Sequence, residues 1–172
     1  MAGRDDPIFL IGFMGAGKSV VGAVLARRLG WEFVDLDRLV TEREKRSIAE
    51  IFARDGEQGF RQAELRALDF LQGRRRLVIA CGGGTYAQPQ GRARIDGMGR
   101  AVWIDLPLTA AIERCAPGPE RPLLRDRAQV ESLYRARLPA YRGAPYRIEA
   151  VHVTPEEVAG RIMMLLGAAG SG

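Results

Sequence analysis

An apolar tetrapeptide, Ile8–Ile11, runs into Gly12-Phe-Met-Gly15-Ala16-Gly17-Lys18-Ser19, and apolar residues at helical spacing follow. Glycines in these places let backbone N–H groups curl around an anion, and a helix starting near Lys18 adds the positive end of its dipole. The lysine brings a mobile point charge to the outer phosphates of a nucleotide, and the serine brings a hydroxyl for a divalent cation. A glycine, four residues and then Gly-Lys-Ser, set between a strand and a helix, is the pattern of a phosphate-binding loop. With 21 glycines in the chain and two lysines, Lys18 and Lys45, a chance match is roughly one in a thousand.

Further residues with chemical potential lie beyond this loop. Phe33-Val-Asp35-Leu-Asp37 reads as a strand end whose alternation puts both carboxylates on one side, at the edge where open α/β sheets bind ligands. One carboxylate there could hold Mg²⁺ through water while the other accepts a hydroxyl proton. Glu57, Phe60, Arg61 and Glu64 share a helical stretch. Arg61 is either a surface ion pair worth ~0.3–0.5 kcal/mol or a planar fork aimed at a substrate carboxylate by Glu64. Cys81-Gly82-Gly83-Gly84-Thr85 follows an apolar run, and such glycines suit a tight turn or a close ligand. Val102-Trp-Ile-Asp105 has the form of a second metal-holding strand, but it follows the glycine-rich one and is read as a decoy. With one histidine, His152, and two cysteines, Cys81 and Cys115, the chain offers no Ser-His or Cys-His triad, zinc cluster or disulfide framework.

The elements that must position these groups alternate strand and helix, the mark of a parallel sheet covered on both faces. Strands are expected at Ile8–Ile11, Glu32–Asp35, Leu77–Cys81, Ala101–Asp105 and Arg147–Val153. Helices are expected at Lys18–Leu29, from a Ser47/Glu50 capping box, and at Glu57–Leu71, Gln129–Leu138 and Pro155–Leu166, with a frayed tail from Gly167. At 172 residues and 47% hydrophobic, the chain suits one domain. No apolar run nears the ~18 residues of a membrane span and Met1–Pro7 is too polar for a signal peptide, so a soluble, cytoplasmic protein is expected. The net charge of +5 favours anionic ligands, and 24 of the 26 basic residues are arginine.

Taken together, the motifs resemble a family. The chain is similar to the shikimate kinases, nucleoside monophosphate kinase-like P-loop enzymes, from about Ile8 to Leu165. The resemblance rests on the Gly12–Ser19 loop, Asp35-Leu-Asp37, the run from Ser47 through Phe52 and Glu57 to Glu64, and Gly82-Gly83-Gly84. Arg121-Pro-Leu-Leu124 and Leu138-Pro-Ala-Tyr141-Arg142 complete it. It implies an α/β fold of three α/β/α layers with a central five-stranded parallel sheet, substrate-binding helices over about 38–73, and a mobile lid over about 114–125. It also implies transfer of the ATP γ-phosphoryl group to the 3-hydroxyl of shikimate, with Mg²⁺.

The family's roles carry over onto matching positions. Gly15, Ala16, Gly17, Lys18, Ser19 and Val20 would hold the nucleotide phosphates, with Arg114 near adenine and Arg121 closing from the lid. Ser19 and Asp35 would hold the metal. Asp37 would bind shikimate hydroxyls and act as base, Arg61 and Arg142 would clamp the carboxylate, and Gly82 and Gly83 would present amides. Phe52 and Phe60 would pack near the substrate ring. The expected partners are ATP and shikimate, with no nucleic acid and no membrane, and the expected state is a monomer. Three other classes remain: another small-metabolite kinase such as gluconate kinase, an ATP-binding regulatory domain without turnover, and a nucleic-acid binder suggested by charge alone. The last lacks an interleaved aromatic platform or a basic tail.

Overall fold

A computed structural model of the chain describes residues 3–114 and 127–169. Five parallel strands form one sheet: β1 (Ile8–Ile11), β2 (Glu32–Asp35), β3 (Leu77–Ala80), β4 (Arg100–Asp105) and β5 (Tyr146–Glu149), in the order β2-β3-β1-β4-β5. Every residue of β1 and β3 is buried, so both faces of the sheet centre are covered, as crossover helices between parallel strands require. The three-layer expectation therefore holds. Phe9, Leu10 and Ile11, with Val78, Ile79, Val102 and Ile104, form the middle of the core.

Register decides where the site opens. Leu10 lies opposite Ala80 of β3 and Val102 of β4, while Asp35 lies opposite Ala80 from the other side. The carboxyl ends of β2, β3 and β1 are thus level, and the segments leaving them share one edge, where ligands of such sheets bind.

The helices are α1 (Lys18–Leu29), α2 (Leu36–Glu44), α3 (Ile48–Leu71), α4 (Pro89–Met98), α5 (Leu108–Arg114), α6 (Arg127–Arg142) and α7 (Pro155–Ala169). The capping box opens α3 as expected: Ser47 Oγ accepts from the Glu50 amide and the Glu50 carboxylate accepts from the Ser47 amide. The two helices expected over Ser47–Leu71 are joined, with a break at Gly56, whose φ of 69° is left-handed. A second capping box, Thr154 with Glu157, opens α7.

Several expectations need correction. Asp37 is not on a strand: β2 stops at Asp35, whose carboxylate caps α2 by accepting from the Arg38 amide, and Asp37 lies in the first turn. The short helices α2, α4 and α5 escape the periodicity argument because each buries two residues or fewer. Helix α6 runs past Pro139 to Arg142 instead of stopping at Leu138, and α7 continues through Gly167. Strand β5 ends at Glu149, short of the exposed Val151 and of His152 with its positive φ. Most of the expected lid, with Arg121 and Cys115, lies outside the described residues, as do Gly170–Gly172.

Candidate active site

The phosphate-binding loop joins β1 to α1. Gly17 sits at the helix N-cap with φ 83°, a left-handed conformation natural to glycine, and no side chain caps the helix. An uncapped N-terminus leaves its first-turn amides available to an anion. Lys18 Nζ donates to the carbonyls of Gly12 and Phe13, which folds the cation back over the loop. Ser19 Oγ donates to Asp35 Oδ2 at 2.7 Å, so the two groups expected to serve a cation are already adjacent. Arg114, the last residue of α5, donates to the Gly15 carbonyl at 3.3 Å.

Gly15, Gly17, Lys18, Ser19 and the largely exposed Val20 border a cleft of about 560 Å³, and Ala16, within the loop, is buried. The far wall of the same cleft carries Asp37, Arg61, Glu64, the three glycines and Arg137. Phe52 and Phe60, their ring centroids 4.9 Å apart, close one side.

The charges on that far wall are buried and constrained. Glu64, 1% exposed, accepts from Arg61 Nη1 at 2.7 Å through one oxygen and from Thr85 Oγ1 at 2.6 Å through the other. Burial works against the Arg61 cation, but Glu64 and Glu57 outweigh it and hold the guanidinium above its usual value. Arg137, 6% exposed, lies over the Phe13 ring at 5.9 Å. Burial, reinforced by the nearby Arg61 cation, pulls it below the usual guanidinium value. Burial also raises the Asp37 carboxyl to about 6, helped by Glu64 and Asp35 and opposed by Lys18 and Arg61. Asp37 Oδ1, Arg61 Nε and Arg137 Nη1 are sealed from solvent with no hydrogen-bond partner among the described residues.

The glycine triplet makes this convergence possible through close approach, since none of the three has a left-handed φ. A Cβ on Gly82 would lie 3.0 Å from Glu64 Oε1 and 3.1 Å from Asp37 Oδ1. One on Gly83 would lie 2.8 Å from Arg137 Nη1, and one on Gly84 would run into the Arg61 guanidinium. Three consecutive positions thus admit four charged side chains.

The structure corrects the second arginine of the expected clamp. Arg142 is exposed and borders a different pocket, with Trp103, Tyr134 and Arg147. Arg137 is the arginine of α6 that reaches the cleft. Five residues along a helix turn the side chain by about 140°, so the two cannot share a face. Arg137 does share a face with Tyr141, four residues on, whose hydroxyl donates to the Gly83 carbonyl. The missed signal was periodic: Val130, Arg137 and Tyr141 are the buried residues of α6, and an arginine in an apolar stripe is the anomaly to pursue. Asp105 pairs with Arg147 at 2.7 Å and borders the same separate pocket as Arg142. Cys81 borders the cleft, and burial drives its thiol well above the ordinary value.

Comparisons with known proteins agree with this geometry. The family model for shikimate kinase matches residues 14–166. The shikimate kinase of Persephonella marina is 37% identical over 157 residues, spanning 91% of this chain and 96% of its own. The solved shikimate kinase from Acinetobacter baumannii, in complex with shikimate, superposes with a TM-score of 0.93 at 34% identity, covering 98% of this chain and 97% of its own. A gluconokinase from Sinorhizobium meliloti, at 16% identity and a TM-score of 0.64 over 96% of this chain and 94% of its own, shares the fold alone. With the loop, the cleft and these relatives in agreement, the chain belongs to the shikimate kinase family.

Proposed function

We propose that this protein transfers the γ-phosphoryl group of ATP to the 3-hydroxyl of shikimate, releasing ADP and shikimate 3-phosphate. The observation that carries the reading is one cleft lined by both the phosphate-binding loop and the buried side chains of Asp37, Arg61 and Arg137. A ligand matched to these three side chains brings an anionic group for Arg61 and Arg137 and a hydroxyl for Asp37. A hydroxylated carboxylic acid has both.

In this assignment the amides of Gly15–Val20 and Lys18 hold the β- and γ-phosphates, and Arg114 steadies the nucleotide side of the loop. The oxygen-only pair of Ser19 and Asp35 suits Mg²⁺, which keeps several waters and supplies charge neutralisation on the phosphates. Arg61 and Arg137 grip the acceptor carboxylate, and the backbone at Gly82 and Gly83 lies along its ring. The Asp37 carboxylate accepts the hydroxyl proton as the new O–P bond forms and the bond to the ADP oxygen breaks. A carboxyl raised to about 6 remains ionised at neutral pH while being a better base than an exposed aspartate. The family's lid arginine corresponds to Arg121. No helix among the described residues is long and apolar enough to cross a membrane.

ADP release from Mg²⁺-ATP, compared with shikimate, gluconate and no acceptor, tests the proposal. Release that requires shikimate is expected. Release with gluconate alone, or with no acceptor responding, overturns it.

A further inference from the structure

Thr85 stands behind the acceptor wall. Its side chain is 1% exposed, and its amide closes a tight turn onto the Gly82 carbonyl at 3.2 Å, which points the hydroxyl at Glu64. The contacts form a relay: Thr85 Oγ1 donates to one oxygen of Glu64, and Arg61 Nη1 donates to the other. We propose that Thr85 is a positioning residue for acceptor binding, its hydroxyl fixing the rotation of the Glu64 carboxylate and thereby the aim of Arg61. The inference rests on the reading of the cleft as the shikimate site.

The terminal torsion of a glutamate is broad and roughly two-fold, so one partner alone leaves the carboxylate plane free to turn. A second cavity of about 590 Å³ borders Arg61, Glu64 and Thr85 on the side shared with Glu57 and Gln88. Glu57 also accepts from Arg61, at 3.2 Å, and its side chain is half exposed. Without the Thr85 hydroxyl, Glu64 is free to rotate and Arg61 to shift toward Glu57, away from the cleft. The hydroxyl favours the arrangement that serves the substrate.

Thr85→Val keeps the shape and removes the donor. Its KM for shikimate should rise about tenfold, with KM for ATP unchanged and kcat within about twofold, and Thr85→Ser should restore the wild-type KM. An unchanged shikimate KM, equal rises in both KM values, or no rescue by serine overturns the proposal. The crystal structure of Thr85→Val gives an answer independent of the acceptor: Glu64 should be rotated and its contact with Arg61 lengthened, and an unaltered pair overturns the proposal. If Thr85→Val melts below the assay temperature, Thr85→Ala carries the same expectations. A wild-type chain silent with shikimate, together with a displaced Arg61–Glu64 pair in the variant, would overturn the functional reading and leave the positioning role standing.

Discussion

The two halves of the cleft are built on opposite principles. On the phosphate side, Gly12–Ser19 is one contiguous segment, and its polar side chains already have protein partners: Lys18 on the loop carbonyls and Ser19 on Asp35. On the acceptor side, Asp37, Arg61, Gly82–Gly84 and Arg137 come from four separate segments, and three polar atoms there are sealed without partners. A phosphate recurs across many enzymes and can be met by backbone geometry. One particular acid requires side chains assembled from across the fold.

The largest effects should come from removing the chemistry of each half. Lys18→Ala should lower kcat/KM about 10³-fold or more, because the phosphoryl group loses its point charge. Asp37→Asn should lower kcat about 10²–10⁴-fold while ATP still binds, as read by nucleotide titration. A kcat within twofold of wild type would remove Asp37 from its role and erase the contrast.

Asp37→Asn also probes the stress on the acceptor side. The folded protein holds this carboxyl at about 6 against an ordinary 3.8, so folding favours the protonated form. The associated stability is complete below pH ~4 and is lost as pH rises through 6, amounting to about 3 kcal/mol by pH 8. The variant should therefore melt several degrees above wild type at pH 8, with the gap closing toward pH 4. A pH-independent gap in thermal scans would refute the stress.

The clamp sharpens the comparison further. Arg137→Met should raise the shikimate KM about 10²-fold with little effect on ATP or stability, since an apolar replacement also relieves a buried charge. Arg61→Lys should raise the same constant about tenfold, because an ammonium cannot reproduce the fork. Arg142→Ala should change either constant less than twofold, and a large shikimate effect would return Arg142 to the clamp.

The same contrast governs what could be read before the structure. The phosphate loop is local, and its strand, glycines, lysine and helix are consecutive, so residue order alone places them. Asp35 and Asp37 are legible as a pair but their geometry is not: alternation along a strand predicts one shared side, whereas Asp35 ends the strand and caps the helix that carries Asp37. Arg137 was not legible because 24 arginines compete and burial, which distinguishes it, is a property of the folded α6. The glycine triplet was visible, but its close approaches involve Asp37, Glu64, Arg137 and Arg61, all distant in sequence.

That triplet has a consequence for genetic variation in this chain. Every missense change at Gly82, Gly83 or Gly84 adds a Cβ, and the atoms it meets first are the tips of the site's charged side chains. Those tips can swing aside, so the polypeptide can accumulate to normal levels while its catalytic centre is disarranged. In a deep mutational scan, these three codons should separate abundance from growth: well-expressed alleles that fail to complement, in contrast to core positions such as Phe9 or Ile79, where both readouts should fall together.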